Sequence, residues 1–424
     1  MTNKQLKELH EIFLNHPNIV RDNRQVKEGD IFWALKGEKF DGNNFAKDAL
    51  DKGAHIAVID NIKMKDKNFF LVNNTLKALQ DLGEFHRDYV GMPVIGITGS
   101  NGKTTTKELV NAVLSKLYNT SFTFKNLNNH IGVPLTLLDI PEETDVAIVE
   151  MGSNHFGEIE TLVNIAKPNF GIITSIGKAH LEFFKDLEGV TREKSTLFKY
   201  LKAHNGLAFV NLDDEIINQI SRDMQRYTFS FDKQKETDIL LEDISTNPEL
   251  KIKLGNTEIQ TKLTGKYNLS NIGYAITVGK YFNLSNEMIK EALETYTPKD
   301  MRSQIIEKDG NLIVLDAYNA NPTSVKAAID SLTNMEGNNK VAIIGDMFEL
   351  GKKSAEEHQF IADYLKEKNI DAYLIGNNFA QTQSEYDKYK DTESFIRSKS
   401  FDKLKNATIL IKGSRGMAME NIIE

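Results

Sequence analysis

The chain of 424 residues contains no cysteine. This absence excludes disulfide bonds, thiolate catalysis and cysteine-based zinc sites, and it agrees with a reducing compartment. Long apolar runs are absent too, since no stretch approaches the roughly 20 apolar residues of a membrane-spanning helix. The N-terminal residues 1–10 are charged and lack the apolar segment of a signal peptide. We therefore expect a soluble, cytoplasmic protein with no membrane span.

An excess of positive charge is also missing. The chain has 60 Asp and Glu residues against 52 Lys and Arg residues, which gives a net charge of −8. Because nucleic-acid binding needs a basic face for the phosphates, we expect no nucleic acid among the partners. Hydrophobic residues make up 40% of the chain and charged residues 26%, as in globular proteins. This length predicts two or three domains.

Internal repeats and low-complexity tracts are absent, and the pattern of strands and helices divides the chain into three blocks. Residues 1–90 contain short α/β units. Residues 91–296 alternate apolar strands with helical stretches, as in a parallel sheet, and include an antiparallel ribbon over 238–263. Residues 297–424 repeat the alternation on a smaller scale, which predicts a doubly wound sheet, and 297–302 is the predicted hinge. The predicted fold class is α/β with three domains.

Apolar segments give the predicted strands, and one long amphipathic segment, residues 75–90, gives a predicted helix. The predicted strands are residues 29–35, 55–59, 93–97, 145–150, 170–176, 207–211, 312–315, 340–344, 372–375 and 407–411.

The segment 94–107 is the most informative part of the sequence. An apolar strand breaks into a glycine-rich turn and then enters a helix through Gly-Lys-Thr, the arrangement of a phosphate-binding loop. The residues of this loop that are predicted to bind a nucleoside triphosphate are Thr98, Gly99, Ser100, Asn101, Gly102, Lys103, Thr104 and Thr105. The loop amides would face a polyphosphate at a helix N-terminus, Lys103 would reach the β- and γ-phosphates, and the hydroxyl of Thr104 or Thr105 would bind Mg²⁺.

This loop departs from the common Gly-x4-Gly-Lys-[Ser/Thr] spacing, because Ile97 occupies the place of the first glycine. The alternative is a plain glycine turn between a strand and a helix. The loop alone indicates a nucleoside triphosphate and leaves its use open.

Three further charged or polar residues of the central block are candidates for a functional role. Glu150 ends a predicted strand, where a carboxylate could bind Mg²⁺, although a solvated loop acid is the alternative. His180 follows the next strand, and taken alone it is better explained as a polar loop residue. Lys194 lies in a charged run that taken alone indicates a solvated helix face.

In the third block, polar clusters follow three predicted strands. The first, residues 316–322, contains an acid, an aromatic ring and two amides, which suit a ribose, a base or an amide-bearing substrate. It could equally be an ordinary turn and helix start. The others are residues 345–351 and 412–416, and the latter combines cations with small residues that could bind a carboxylate.

Taken in order, these motifs resemble the Mur ligase family over nearly the whole chain. The N-terminal motifs are Val-Arg-Asp-Asn-Arg (20–24), Gly-Asp-Ile-Phe-Trp-Ala-Leu-Lys-Gly (29–37) and Phe-Asp-Gly-Asn (40–43). The central motifs are the loop 98–107, Asn-Leu-Asn-Asn-His-Ile-Gly-Val-Pro-Leu (126–135) and Glu-Met-Gly-Ser-Asn-His (150–155). Asp-Ala-Tyr-Asn-Ala-Asn-Pro (316–322), Gly-Asp-Met-Phe-Glu-Leu-Gly (345–351) and Lys-Gly-Ser-Arg (412–415) resemble its C-terminal domain.

The resemblance implies a three-domain architecture. A small α/β UDP-binding domain would cover 1–90, a central ATPase domain with a P-loop and a parallel sheet would cover 91–296, and a Rossmann-like domain would cover 297–424. It also implies roles for individual residues. Catalytic roles would fall to Lys103, Lys194, His180 and Glu150. Magnesium would be bound by Thr104, Glu150, His180 and Lys194, the last carbamylated by CO2.

Further contacts are implied by the same resemblance. ATP would also be contacted by Asn268, Asn271, Arg302 and Asp316. The substrates would be contacted by Asp22, Arg24, Lys36, Asp41, Gly42, Asn128, Asn129, Tyr318, Asn319, Asn321, Lys412, Ser414 and Arg415. Two positions depart from the family pattern, because Tyr267 stands where a histidine is usual and Asn23 where a serine is usual.

The implied reaction is ATP- and Mg²⁺-dependent amide formation. The C-terminal motifs point to the branch that adds D-alanyl-D-alanine to a UDP-N-acetylmuramoyl-tripeptide, through an acyl phosphate, in peptidoglycan precursor synthesis. We expect a monomer. The alternatives are another amino-acid-adding ligase of the family or a folylpolyglutamate synthetase-like enzyme. A nucleotide-switched binding protein is a third possibility, but the Asn-Lys-x-Asp guanine motif is missing.

Overall fold

The computed structural model describes residues 1–245, 249–299 and 301–424. Part of the predicted ribbon, residues 246–248, and residue 300 of the predicted hinge lie outside the described residues. No helix in the described ranges is both long enough and apolar enough to cross a membrane.

The N-terminal part is a parallel four-stranded sheet of order β1-β2-β5-β6, with a separate hairpin β3-β4. Its strands are β1 Ile19–Val20, β2 Ile31–Trp33, β3 Lys36–Gly37, β4 Phe40–Asp41, β5 Ile56–Ile59 and β6 Phe69–Leu71. Its helices are α1 Asn3–Asn15, α2 Ala46–Asp51 and α3 Thr75–Val90, and a 3₁₀ turn covers Gly42–Phe45.

Alternation along β2 explains why both faces of this sheet are covered. Trp33 packs in an apolar cluster with residues of α1 and α3, whereas Phe32 packs with alanines of α2. Successive side chains of a strand point to opposite faces, so an unbroken apolar strand needs a cover on each side. The predicted helix over 75–90 is confirmed with the same bounds.

The largest sheet has nine strands in the order β15-β14-β13-β12-β11-β10-β7-β9-β8. They are β7 Val94–Thr98, β8 Thr120–Phe122, β9 Val146–Glu150, β10 Phe170–Ile173, β11 Leu207–Asn211, β12 Gln225–Ser230, β13 Ile239–Asp243, β14 Glu249–Leu254 and β15 Thr257–Thr264. The helices of this region are α4 Lys103–Leu114, α5 Gly132–Leu138, α6 Glu158–Ala166, α7 Leu181–Phe184, α8 Leu187–Lys194, α9 Thr196–Ala203, α10 Glu215–Ile220, α11 Asn268–Tyr281 and α12 Asn286–Thr295.

The predicted ribbon at the end of this sheet is confirmed, because β13, β14 and β15 pair antiparallel. The predicted strand over 170–176 was too long. It ends at Ile173, since the hydroxyls of Thr174 and Ser175 both donate to the carbonyl of Asn101, at 2.5 and 3.1 Å. The chain leaves the sheet here to support the glycine loop.

The C-terminal part is a six-stranded sheet of order β16-β17-β21-β18-β19-β20. Its strands are β16 Gln304–Lys308, β17 Asn311–Leu315, β18 Lys340–Gly345, β19 Asp371–Ile375, β20 Asp387–Tyr389 and β21 Thr408–Lys412. Its helices are α13 Pro322–Asn334, α14 Ser354–Glu367 and α15 Thr392–Ser398, with 3₁₀ turns at Gly351–Lys353, Phe379–Gln381, Phe401–Lys403, Arg415–Met417 and Met419–Ile422. The antiparallel strand β16 was not predicted, because its side chains alternate between half-buried and exposed and form no apolar run.

The chain forms two compact units. The first comprises residues 1–96, 118–152 and 158–170, and the second comprises residues 97–117, 153–157 and 171–424. The glycine loop and all of the C-terminal part therefore belong to the second unit, whereas Glu150 belongs to the first.

Candidate active site

The glycine loop follows β7 and has the backbone expected of a phosphate-binding turn. Gly99 and Gly102 have φ angles of +146° and +81°, which residues with a side chain rarely adopt. A Cβ atom on Gly99 would lie 2.1 Å from Thr174 Oγ1, and one on Gly102 would lie 2.4 Å from Asn271 Oδ1. The loop is thus packed tightly from behind, and only glycine fits at these two positions.

The segment after β10 fixes the loop by hydrogen bonds. Ser100 N donates to Ser175 O at 2.9 Å, and Asn101 N donates to Ser175 Oγ at 3.0 Å. Gly177 N donates to Ser100 Oγ at 3.0 Å. These contacts hold the turn in place.

Lys103, the first residue of α4, folds back over the loop. Its Nζ donates to the carbonyls of Gly99 at 2.7 Å and Ser100 at 3.2 Å. Thr104 and Thr105 follow it in the first turn of the helix and are both buried. The N-terminus of α4 thus carries a lysine cation and two threonine hydroxyls in its first turn. Such a helix end favours the binding of an anion.

Helix α11 supports the loop from the other side. Asn271 Oδ1 accepts from Thr106 Oγ1 at 3.0 Å, and Asn271 Nδ2 donates to Asn268 Oδ1 at 2.7 Å. Asn268 in turn donates to Thr264 O at 2.7 Å. The two asparagines that were predicted to contact ATP therefore form one buried chain that contacts Gly102.

Helix α8 holds the segment 153–157 through adjacent side chains. Lys194 Nζ donates to Ser153 Oγ at 2.8 Å, and Gly157 N donates to Glu193 Oε2 at 2.9 Å. The guanidinium of Arg192 lies 4.1 Å from the ring centroid of Phe156. Lys194 is 1% exposed, so the solvated helix face that its charged run indicated is wrong for this residue.

His180 meets a residue of the C-terminal part that was not singled out from the sequence. Its Nδ1 lies 2.5 Å from Glu349 Oε2. The hydrogen bond from His180 holds the pKa of Glu349 below its usual value. The pair lies next to a second contact, in which Glu182 N donates to Glu349 O at 3.0 Å.

The cluster that follows β17 is built around an ion pair between a buried lysine and a partly buried aspartate. Lys412 Nζ lies 2.7 Å from Asp316 Oδ2 and donates to Asn319 O at 3.0 Å. Arg302 stacks on Tyr318, with its guanidinium carbon 3.6 Å from the ring centroid. These five predicted residues are thus brought together, and the cation of Lys412 has a carboxylate partner within the cluster.

Three other predicted residues of the C-terminal part also have hydrogen-bond or ion-pair partners. Asn321 caps α13 by accepting from Ser324 N at 2.9 Å, and its Nδ2 donates to Asn101 Oδ1 of the glycine loop at 2.7 Å. Ser414 Oγ accepts from Phe348 N at 2.9 Å. Arg415 is paired with Glu420. Asn321 is therefore the residue of this group that contacts the nucleotide loop directly.

Tyr267, where the family has a histidine, precedes α11. Its hydroxyl forms a 2.7 Å hydrogen bond with Ser303 Oγ, next to Arg302. Burial, together with the charge of Asp316, raises the pKa of Tyr267 far above its usual value, so the phenol stays neutral.

In the first unit, Glu150 is the last residue of β9 and is 1% exposed. Its Oε1 accepts from Asn128 Nδ2 at 2.8 Å, so the alternative of a solvated loop acid is wrong. Asn129 has a local partner, since its Oδ1 accepts from Gly132 N at 2.8 Å at the start of α5.

The predicted substrate contacts near the N-terminus form two groups. Asp22 and Arg24 form a surface pair with an Oδ2 to Nη2 distance of 2.6 Å, and hydrogen bonds from Arg24 lower the pKa of Asp22 to about 2. Asn23 does not point to this pair, since its Nδ2 donates to Asp48 Oδ2 at 2.6 Å.

In the second group, two predicted residues, Asp41 and Lys36, are joined through Asn43 and Asp60, which were not predicted. Asn43, which is fully buried, donates to Asp41 Oδ1 at 2.6 Å and to Asp60 Oδ1 at 2.8 Å. Lys36 Nζ lies 2.8 Å from the same Asp60 oxygen. Gly42 N donates to Leu35 O at 2.9 Å, where a Cβ would not fit. Asn43 belongs to the motif at 40–43, whereas Asp60 had no signal in the sequence beyond its place after a strand.

Three family profiles match successive ranges of this chain. They are described as Mur ligase family, catalytic domain (residues 18–91), Mur ligase middle domain (97–279) and Mur ligase, glutamate ligase domain (301–415). The UDP-N-acetylmuramoyl-tripeptide–D-alanyl-D-alanine ligase of Bacillus subtilis is 34% identical over 96% of this chain and 92% of its own length.

Solved structures of the same family are similar to this chain in fold. MurF from Acinetobacter baumannii superposes with a TM-score of 0.88 at 29% identity, covering 100% of this chain and 97% of that one. MurF from Thermotoga maritima in complex with ADP has a TM-score of 0.86 at 27% identity, covering 97% of each chain.

Proposed function

This chain belongs to the Mur ligase family, and we propose that it joins D-alanyl-D-alanine to UDP-N-acetylmuramoyl-tripeptide with the use of ATP, in peptidoglycan precursor synthesis. The observation that carries the proposal is the full-length match to a relative of that activity. The motifs after β17, β18 and β21 support the same branch. The alternatives, another amino-acid-adding ligase or a folylpolyglutamate synthetase-like enzyme, have less support.

The chemistry requires activation of a carboxylate, because its oxygen is a poor leaving group. The γ-phosphoryl group moves from ATP to the terminal carboxylate of the tripeptide, so the bond to ADP breaks and an acyl phosphate forms. The amine of D-alanyl-D-alanine attacks the carbonyl carbon, and phosphate leaves as the amine loses a proton. Such transfers depend mainly on positioning and on neutralisation of charge.

The loop 98–105 would hold the phosphates of ATP. Its glycine backbone and the N-terminus of α4 support this assignment, and Lys103 would exchange the loop carbonyls for phosphate oxygens. Asn268 and Asn271 support the loop from behind. We assign Arg302 and Asp316 to the same nucleotide on the family pattern.

Magnesium would be held by Thr104, Glu150, His180 and a carbamylated Lys194. Among the described residues, no group of three or more His, Asp and Glu side chains is arranged to bind a metal ion. Hydroxyl, carbamate and phosphate oxygens would therefore have to supply the remaining ligands of Mg²⁺. When bound, Mg²⁺ neutralises phosphate charge. The burial of Lys194 beside the Ser153 hydroxyl fits a modified lysine, because carbamylation turns a buried cation into an oxygen ligand.

For the substrates, we assign the UDP-sugar to Asp22, Arg24, Lys36, Asp41 and Gly42. Asn128 and Asn129 would contact the same nucleotide-sugar substrate. The residues assigned to D-alanyl-D-alanine and the reacting peptide end are Tyr318, Asn319, Asn321, Lys412, Ser414 and Arg415. We further propose domain boundaries at 90/91 and 296/297, a monomer, and a cytoplasmic location.

The test is acceptor specificity. Purified protein receives ATP, Mg²⁺ and UDP-N-acetylmuramoyl-tripeptide carrying either diaminopimelate or lysine, and then D-alanyl-D-alanine or a single amino acid. We expect phosphate release and a UDP-pentapeptide mass only with the dipeptide. Phosphate release that does not depend on D-alanyl-D-alanine would exclude the proposal. Ligation of a single amino acid would favour another ligase of the family.

A further inference from the structure

The contact between His180 and Glu349 joins residues that are 169 positions apart. His180 lies after β10, in the central part of the chain, and Glu349 lies after β18, in the C-terminal part. Because an ionised carboxylate can only accept, the 2.5 Å hydrogen bond places the proton of the imidazole on Nδ1. In the neutral ring, Nε2 then keeps its lone pair.

The backbone at both residues is held in an unfavourable conformation. His180 and Glu349 have φ angles of +51° and +60°, in the left-handed region that non-glycine residues seldom occupy. Such conformations persist where surrounding contacts enforce them, and they cluster at functional sites. One enforcing contact is the hydrogen bond from Glu182 N to Glu349 O at 3.0 Å.

The segment that carries His180 is attached to the C-terminal part at its other end too. Lys178 N donates to Thr323 Oγ1 at 3.0 Å, and Lys178 Nζ lies 2.5 Å from Glu357 Oε1. The carboxylate of Glu357 is buried. His180 therefore lies between two contacts that exist only when the central and C-terminal parts are together.

We infer that Glu349 is a positioning residue that fixes the ring and tautomer of His180, so that approach of the C-terminal part prepares Nε2 as a magnesium ligand. The inference rests on the proposed function, in which His180 binds the metal. Histidines that bind metals commonly donate their other N–H to a carboxylate, and loss of that carboxylate weakens metal binding about 10- to 100-fold. Coupling is reciprocal, so bound metal would equally favour the arrangement in which Glu349 reaches His180.

Two measurements on the full chain test this inference. In ¹⁵N-histidine spectra without ligand, we expect the wild type to show His180 protonated on Nδ1, and Glu349→Ala to lose this preference. In Mn²⁺ titrations with a saturating non-hydrolysable ATP analogue, followed by the resonance of free Mn²⁺, we expect Glu349→Ala to bind about 10-fold more weakly. Glu349→Gln keeps an acceptor without the charge and should lie between the two.

The matched control is Glu356→Ala, which removes an exposed carboxylate that pairs only with Lys353 among the residues that the structure describes. It should keep the wild-type His180 spectrum and Mn²⁺ affinity. An unchanged tautomer and an unchanged Mn²⁺ affinity in Glu349→Ala would overturn the inference. If Glu349→Ala does not fold, Glu349→Gln serves as the test. A Mn²⁺ affinity of Glu349→Gln equal to that of the wild type would then overturn the inference. Failure of the wild type to make the UDP-pentapeptide would instead count against the proposed function.

Discussion

Single side chains determine how charge is arranged around the loop of residues 98–105. Lys103 donates to two loop carbonyls, and we expect phosphate oxygens to replace these partners when ATP binds. Lys194 is buried, and its amine donates to the hydroxyl of Ser153. Each residue supports a prediction about turnover.

Replacing Lys103 by Ala should lower kcat/KM for ATP by about 100-fold or more, because the cation that neutralises the phosphates is lost. Steady-state phosphate release measures the effect. Lys116→Ala removes an ion pair with Glu291 outside the site and should behave as the wild type. Equal activity of Lys103→Ala and Lys116→Ala would contradict the assignment of the loop to ATP.

Lys194→Ala should abolish most turnover, and added short carboxylates such as formate should restore part of it, because they can supply the oxygens of the missing carbamate. The exposed Lys199, on the adjacent helix, provides the control in Lys199→Ala. Activity of Lys194→Ala at the level of the wild type would refute the carbamate. Loss without any rescue would leave Lys194 a binding residue of another kind.

At the scale of elements, α1 and α3 are joined by a buried histidine pair. His10 Nε2 and His86 Nδ1 are 3.0 Å apart, and His86 Nε2 donates to Ile140 O at 3.0 Å. Burial, with the neighbouring His86, lowers the pKa of His10 to about 4, and burial lowers that of His86 too. The ring of His10 is therefore neutral in the folded protein near pH 6.

This pair predicts acid sensitivity. The unfolded chain takes up a proton on His10 below about pH 6.5, whereas the folded chain does so only near pH 4, so stability present above pH 6.5 is lost as the pH falls towards 4. The lowered pKa of His86 acts in the same direction. For His10 the loss is up to about 1.4 kcal/mol per pH unit within this window. The thermal-unfolding midpoint of His10→Gln should fall less steeply between pH 7 and 5 than that of the wild type. His204→Gln, at an exposed site, should not change the slope, and an unchanged slope in His10→Gln would contradict the prediction.

At the scale of the whole molecule, contacts between the central and C-terminal parts of the second unit decide whether the loop and the clusters after β17 and β18 can act together. These contacts include Asn101 with Asn321 and Lys178 with Glu357. Glu357 is buried, so removal of its partner leaves a charge in a poor environment.

Lys178→Met should therefore favour separation of these parts, because water can then solvate Glu357. Small-angle scattering should give a larger radius of gyration than for the wild type without nucleotide, and KM for ATP should rise. Lys353→Met, which removes an exposed ion pair with Glu356, is the control. Identical scattering of the wild type and Lys178→Met would show that this ion pair does not hold the parts together.

The sequence by itself determined the α/β class, the order of the three blocks, the glycine loop and most strands, because these depend on local periodicity and on glycine backbone conformation. Its residue types and apolar runs also placed Glu150, Asp316 and Lys412 at the C-terminal ends of strands or directly after them. Only the tertiary structure decided the partners. It buried Lys194, joined Asp316 to Lys412, and brought Glu349 to His180 across 169 residues. The burial and the partners of these side chains depend on elements that are far apart in the chain. The spacing of residues along the sequence does not indicate which of these elements lie close together in space.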